Sequence, residues 1–339
     1  MAKRHRVIRK RHHAAKHSHR HKSRTHRSIK RRHHAARHAA RHAAHHRKSR
    51  THRIAVPSTR MIHLDGSPYQ GSYLGPERTA AHTPMIIRVS SQKGGVGKTT
   101  IAVNLSSALS QMGYKILLID GDTVNPAIDY VLGMDEQELG IRDVLTGRIN
   151  ITEAIRRHDE TGVYVLPGLP SGSSFLPTPQ QLRRFAAQMK YVRDFDFVII
   201  DTPPGFFGTS VESLYEEALI ITIPSPSSAA SAVRLGEFYD ERDMRHELII
   251  NRAYGKRYEL SVGEIEKVCG RAAVAVFPED VNVLKGEEMH TPTLILNRRA
   301  PFSKATLSLA KVYATKRGTP ETMPAIQKKH HLLDRLLGE

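Results

Sequence analysis

Cysteine is almost absent from this 339-residue chain, which contains only Cys269. A single cysteine excludes an internal disulfide framework and any metal or iron–sulfur site built from paired cysteines. Long apolar runs are also missing, since none approaches the roughly 18 residues that a membrane span requires. The basic N-terminus has no apolar segment of the kind found in secretory signals. These absences favour a cytoplasmic protein.

Acidic residues are absent from residues 1–53, which hold 20 of the 52 Lys and Arg residues and 14 of the 21 His residues. The rest of the chain has 32 basic and 33 acidic side chains, so the net charge of +19 originates in this tail. Its low-complexity composition predicts disorder. We expect it to bind nucleic acid without sequence preference and with strong salt dependence. An anionic membrane and a solubilising extension are the alternatives.

Residues 54–84 contain scattered Pro, Gly and Ser residues and are expected to form a linker. From residue 85 onward, short apolar runs alternate with stretches of helical spacing, of which 99–113 is the clearest. This alternation predicts an α/β fold with a mostly parallel twisted sheet and helices on both faces. A ligand crevice is expected at the carboxyl ends of the strands. The apolar runs occupy residues 85–90, 115–120, 162–168, 195–201, 218–224, 247–251 and 272–277.

The stretch SQKGGVGKTT at 91–100 lies between the first apolar run and the first helical stretch. It departs from the common pattern G-x-x-x-x-G-K-[ST], because Gln92 stands where the first glycine is expected. Its strand–loop–helix context nevertheless predicts a phosphate-binding loop. Lys98 is expected to reach the β- and γ-phosphates and Thr99 to bind Mg²⁺, while Lys93 is a second lysine in the loop. The predicted nucleotide contacts of the loop are Gly94, Gly95, Val96, Gly97, Lys98, Thr99 and Thr100.

The loop KGGVGKTT, with its additional Lys93, resembles the deviant Walker A loop of the MinD/ParA family of ATPases. Four further segments resemble motifs of that family, in the same order, along roughly 85–313. The resemblance implies a P-loop NTPase domain over 85–318, with ATP and Mg²⁺ as cofactors and a homodimer that encloses ATP. The four segments are DGDTVNP at 120–126, IIDTPPG at 199–205, IINR at 249–252 and FPEDVNVLKGEEMHTPTL at 277–294.

The resemblance also implies roles for single residues around the phosphates. Lys93 is the signature lysine, which reaches the nucleotide of the partner subunit and stabilises the charge on the transferring phosphoryl group. Asp122 positions the attacking water, and Asp120 and Asp201 join Thr99 at Mg²⁺. For the carboxylates the alternative is capping of local backbone at a strand end. For Lys93 the alternative is a solvated loop lysine.

Further implied contacts come from three later segments. The backbone N–H of Gly205 is expected to face the γ-phosphate. Asn251 is expected to read the edge of the adenine, with Arg252 and Pro278 on the same side of the site. These assignments follow from the resemblance and not from spacing alone.

Two residues of this chain differ from the family pattern at positions that are linked to the binding of a partner protein. Division-site members usually carry Glu where this chain has Ser227, and often Asp where it has Leu235. Both positions help to couple nucleotide state to partner binding, so the activating protein stays unidentified. The single Cys269 excludes the cluster-binding relatives, which leaves ATPases that act on a membrane or on the nucleoid.

Residues 319–339 are expected to form a linker followed by an amphipathic helix over 325–339. Ile326, Leu333 and Leu337 share one face of that helix, and the segment resembles the membrane-targeting helix of MinD proteins. Two copies presented by a dimer would make membrane binding depend on ATP. A helix packed on the domain or an oligomer contact is the alternative.

The sequence therefore predicts a slow, Mg²⁺-dependent and partner-stimulated ATPase. It would dimerise on ATP and position division or chromosome and plasmid partition machinery at a membrane or nucleoid surface. The alternative is a nucleoid-associated nucleic-acid-binding protein in which the ATPase domain is a regulatory switch.

Overall fold

A computed structural model describes most of the predicted ATPase domain, and all described residues fall in one compact unit. The basic tail, the linker up to residue 82 and the C-terminal segment from 319 lie outside the described residues. The described ranges are 83–134, 138–168, 175–205 and 215–318.

The strands of the described residues form a single sheet. In chain order they are β1 Met85–Ser90, β2 Ile116–Asp120, β3 Arg156–Arg157, β4 Tyr164–Leu166, β5 Phe197–Asp201, β6 Glu217–Thr222, β7 His246–Ala253 and β8 Ala273–Pro278. Their order across the sheet is β3-β4-β2-β5-β1-β6-β7-β8. All neighbours pair in parallel except β3, which runs antiparallel to β4.

Helices cover both faces of this sheet because alternate residues of each central strand point to opposite sides. In β5, Phe197 and Ile199 belong to one hydrophobic cluster, whereas Val198 and Ile200 belong to another. The helices are α1 Lys98–Gln111, α2 Ile128–Leu132, α3 Ile141–Thr146, α4 Ile151–Ala154, α5 Pro179–Gln188, α6 Pro226–Asp240, α7 Val262–Cys269, α8 Val281–Glu288, α9 Thr293–Leu296 and α10 Pro301–Arg317. A 3₁₀ turn at Met189–Val192 follows α5.

Three clusters of buried side chains form the core. The first joins α1, α2 and α10 to one face of the sheet. The second packs α3, α4 and α5 on the opposite face, and the third packs α6 and α7 there. The predicted α/β class with helices on both faces is therefore confirmed. None of the helices described is at once long and apolar enough to cross a membrane.

The parallel arrangement brings the polar ends of several strands to one edge. Asp120 at the end of β2 and Asp201 at the end of β5 are register partners. Ser90 ends β1 between β5 and β6, and the loop that follows it leads directly into α1. This edge is where the predicted site residues converge.

Candidate nucleotide-binding site

The loop from β1 to α1 has, at two points, a backbone conformation that favours glycine. Gly95 and Gly97 have φ values of 74° and 93°, in the left-handed region. A Cβ on Gly97 would lie 2.3 Å from Nδ2 of Asn251. That amide nitrogen donates to the backbone oxygen of Val96 at 2.7 Å, while the Val96 side chain is buried in the core. Asn251 therefore holds the loop against the end of β7.

A cleft of about 570 Å³ opens beside this loop. Most of the predicted site residues line it, so the fold brings together segments separated by more than 100 residues in sequence. Those that line the cleft are Gly94, Gly95, Gly97, Lys98, Thr99, Thr100, Asp122, Asn251, Arg252 and Pro278. The predicted residues outside its wall are Lys93, Val96, Asp120, Asp201 and Gly205.

Lys98 is the first residue of α1 and is 8% exposed. Burial lowers the pKa of its ammonium group, although the nearby carboxylates of Asp201 and Asp122 oppose that shift. A buried cation at the positive end of a helix is stabilised by a bound anion. The position suits the phosphate chain of a nucleotide.

Thr99 and Asp201 form a second polar group at the loop. The Thr99 hydroxyl donates to Oδ2 of Asp201. The other carboxylate oxygen, Oδ1, is buried and has no hydrogen-bond partner among the described residues. Burial raises the pKa of Asp201 to about 6. A hydroxyl beside a carboxylate with an uncommitted oxygen matches the ligands that Mg²⁺ prefers, so these two residues fit the ion.

Asp120 has a different environment from Asp201, although the two are neighbours across the sheet. Its carboxylate accepts from the backbone N–H groups of Ala127 at 2.9 Å, Ile128 at 3.0 Å and Asp122 at 3.2 Å. Burial, with repulsion from Asp201, raises its pKa well above the usual range. Asp120 thus caps the backbone that enters α2. Capping of this kind is the alternative to Mg²⁺ binding given above for carboxylates at strand ends. Its predicted link to Mg²⁺ stays a prediction.

Asp122 and Gly205 flank the predicted position of the γ-phosphate. Oδ1 of Asp122 accepts from the backbone N–H groups of Val124 and Asn125, at 3.2 and 2.9 Å, which fixes this carboxylate at the cleft wall. The N–H of Gly205 instead donates to the oxygen of Ser91 at 2.9 Å. A bond from Gly205 to phosphate would require that contact to break, and it stays a prediction.

The two loop lysines point in different directions. Lys98 lines the cleft, whereas Nζ of Lys93 donates to Oγ of Ser227 at 2.5 Å, at the start of α6. Ser227 is exposed to solvent, and Lys93 is partly exposed. Leu235, the other position at which the chain departs from the division-site pattern, is buried on the core-facing side of α6.

A further part of the cleft wall, in contact with the loop, is built from the ends of β7 and β8. Arg252 has a left-handed φ of 58° and forms a two-pronged ion pair with Glu279, at 2.7 and 3.2 Å. The third guanidinium nitrogen, Nη1, lies 3.4 Å from the oxygen of Gly95. Arg252 therefore ties the loop to the segment that begins at Pro278.

Sequence reasoning missed several residues of the cleft. Within the motif at 277–294, the sequence assigns a contact only to Pro278. Positions 280, 283, 284 and 287 recur at helical spacing and so face the cleft together, a signal that could have found them. The unpredicted lining residues are Asn125, Ala127, Tyr130, Val131, Pro204, Glu279, Asp280, Val283, Leu284, Glu287 and Phe302.

A glycine loop between a buried strand and a helix, with a buried lysine in that helix's first turn, defines a P-loop nucleotide-binding protein. Comparison with known proteins narrows this class. Residues 84–238 match a family described as an AAA domain. The septum site-determining protein MinD of Thermotoga maritima is 30% identical over 238 residues, which cover 67% of this chain and 86% of that protein.

Solved structures agree with that relationship. MinD of Pyrococcus horikoshii, determined in complex with Mg-ADP, is 29% identical with a TM-score of 0.64, covering 70% of this chain and 98% of that one. A chain of the MinC:MinD cell division complex of Aquifex aeolicus is 25% identical with a TM-score of 0.61, covering 72% and 98%. The chain belongs to the MinD/ParA family of P-loop ATPases, as its motifs indicated.

Proposed function

We propose that this protein binds ATP with Mg²⁺, dimerises around the bound nucleotide and hydrolyses it slowly. The observation that carries the proposal is the divergence of the two loop lysines. Lys98 is buried in the wall of the cleft, while Lys93 lies outside that wall and contacts Ser227 on the protein surface. A lysine in this position is available to a second subunit.

The residues of the cleft suit phosphoryl transfer, which depends on positioning and on charge stabilisation. The N–H groups of the loop and the ammonium of Lys98 would bind the phosphate oxygens. The fixed carboxylate of Asp122 would orient the attacking water. Mg²⁺ bound near Thr99 and Asp201 would neutralise negative charge on the β- and γ-phosphates.

Dimerisation would complete the site. Lys93 of each subunit would leave Ser227 and approach the nucleotide of the partner subunit, where it would act as an arginine finger does in other nucleotide hydrolases. Its hydrogen bond to Ser227 involves a neutral hydroxyl on an exposed surface, so breaking it costs little. This arrangement would make both dimerisation and hydrolysis depend on ATP.

The variant Lys93→Ala tests this proposal. It is expected to retain Mg-ATP binding, measured by isothermal titration calorimetry, and to lose ATP-dependent dimerisation and hydrolysis. Lys256→Ala provides the control, because Lys256 is an exposed lysine outside the cleft. Loss of ATP binding in Lys93→Ala alone would make Lys93 a ligand of its own subunit's nucleotide and would contradict the proposal.

The cycle would serve to position cargo at a surface in the cytoplasm. Relatives named as septum site-determining proteins suggest division machinery, and a chain in a complex with MinC suggests a protein partner of that kind. Binding of 325–339 to an anionic membrane and of 1–53 to nucleic acid are part of the proposal, as is an activating protein. Because Ser227 and Leu235 replace the usual acidic residues, that activator is expected to differ from the one used by division-site members.

The second candidate function is a nucleic-acid-binding protein in which the nucleotide domain is only a switch. The basic tail favours it. The paired Thr99 and Asp201, the buried Lys98 and the fixed Asp122 oppose it, because a domain that had lost hydrolysis would not need to keep them together. We therefore prefer the ATPase.

A further inference from the structure

Three carboxylates line the wall of the cleft that runs from the end of β8 into α8. Glu279 is committed to its two-pronged ion pair with Arg252. Asp280 is committed as well, since Oδ1 accepts from the backbone and side-chain nitrogens of Asn282 at 2.9 and 2.6 Å. Its Oδ2 accepts from the backbone of Phe302 at 3.0 Å. Only the third carboxylate, Glu287, is without a strong internal partner.

The Glu287 side chain has one hydrogen bond within the part of the chain that the structure describes. Its Oε1 lies 3.5 Å from the hydroxyl of Thr100, at the limit of hydrogen-bond length. Thr100 follows Lys98 and Thr99 in the first turn of α1. Glu287 therefore lies beside the end of the phosphate-binding loop, and its carboxylate oxygens can accept further hydrogen bonds.

Glu287 lies between the phosphate-binding loop and the part of the cleft expected to hold the base, and this position indicates which part of a bound nucleotide it would contact. Phosphates bound by the loop and a base placed against Asn251 and Pro278 would leave the sugar between them, next to Thr100 and Leu284. A carboxylate this close to phosphates is unfavourable unless it accepts hydrogen bonds from the ligand. The 2′- and 3′-hydroxyls of ribose are such donors, and acidic side chains bind them in other nucleotide sites.

We propose that Glu287 binds the ribose hydroxyls and makes the site selective for ribonucleotides over deoxynucleotides. This inference rests on the proposed function only in requiring that the cleft binds a nucleotide. Leu284, one turn earlier on α8, would cover the apolar side of the same sugar.

Isothermal titration calorimetry of the full-length protein with Mg²⁺ tests the proposal, using ATP, 2′-deoxyATP and 3′-deoxyATP. Wild type is expected to bind at least one deoxynucleotide about tenfold more weakly, the usual effect of losing a hydrogen bond to a charged acceptor. In Glu287→Gln the preference for ATP over that deoxynucleotide is expected to fall to about twofold, since an amide oxygen is a weaker acceptor than a carboxylate oxygen. Glu288→Gln is the matched control, because Glu288 is an exposed neighbour on the same helix, and it should keep the wild-type ratio.

The outcomes separate this inference from the proposed function. Equal affinity of wild type for all three nucleotides would overturn the role of Glu287, whatever the behaviour of the variant, and would leave the ATPase proposal intact. Unchanged discrimination in a folded Glu287→Gln would also overturn it. Failure of wild type to bind any of the nucleotides would reject the proposed function and this inference together.

Discussion

Replacing Asp201 by Asn should make the nucleotide-free domain more stable while it impairs Mg²⁺-dependent function. Asp201 ends β5 with one oxygen bonded by the Thr99 hydroxyl and the other buried without a partner among the described residues. Ionising a carboxyl group in this position is costly because water is excluded from it. An amide has the same shape and carries no charge, so Asp201→Asn removes the cost.

The expected gain follows from the pKa of Asp201, which burial raises from 3.8 to about 6. Because the pKa of Asp201 is higher in the folded state, the fold tolerates the protonated carboxyl better than the carboxylate. The contribution of Asp201 to the free energy of unfolding is therefore fully present below pH 3.8 and is lost as pH rises through 6. A shift of this size corresponds to about 3 kcal/mol at pH 7.5. At pH 5, where the folded carboxyl is mostly protonated, the difference shrinks to about half.

Thermal unfolding without nucleotide and with a chelator measures this effect. For a domain of this size about 3 kcal/mol corresponds to an increase in Tm of roughly 6–12 °C at pH 7.5, and to about half of that at pH 5. Asp159→Asn is the control, because the Asp159 side chain is 94% exposed and its substitution should change Tm little. Added Mg²⁺ and ATP should then raise the Tm of wild type more than that of Asp201→Asn.

Two results would refute this reasoning. A lower Tm of Asp201→Asn at pH 7.5 would mean that the carboxylate stabilises the nucleotide-free fold. An increase that is the same at pH 5 and pH 7.5 would mean that the gain does not come from ionisation of Asp201.

Two further predictions concern the ends of the chain, which lie outside the described residues. Deleting residues 1–53 should abolish DNA binding, which in the full chain should weaken by orders of magnitude between about 50 and 200 mM salt; binding that persists would place the site on the folded domain. Pelleting with anionic liposomes should occur in ATP and not in ADP, because a dimer presents two copies of 325–339. Equal pelleting in both nucleotides, or none, would remove that segment from the role.

Most strands could be predicted from sequence because each of them reads as an apolar run, and the central strands β1, β2, β5 and β6 are buried along their whole length. All seven predicted runs contain strands, and no strand boundary differs from the predicted one by more than two residues. The strand β3 was missed since Arg156 and Arg157 are both exposed and give no apolar signal. The short helices α2, α3 and α4 were also missed, because they depend on local caps such as the carboxylate of Asp120 rather than on a long periodic pattern.

The site was predicted as a set of residues, but not in the contacts that those residues make. Local motifs specify which residue types surround a phosphate, whereas side-chain directions depend on segments far apart in sequence. Lys93 meets Ser227 and Asn251 meets Val96 only because α6 and β7 pack beside the loop. The base side of the cleft depends likewise on α8, whose inward face includes Glu287.

The central claim is that ATP, and not ADP, joins two copies of this chain around the nucleotide. Sedimentation velocity of the Asp122→Ala variant with Mg²⁺ tests it most directly, because a variant that cannot orient the attacking water should hold ATP long enough to accumulate the dimer. The account predicts a dimer in ATP and a monomer in ADP. A monomer in both nucleotides, at protein concentrations where ATP binding is saturated, would contradict it.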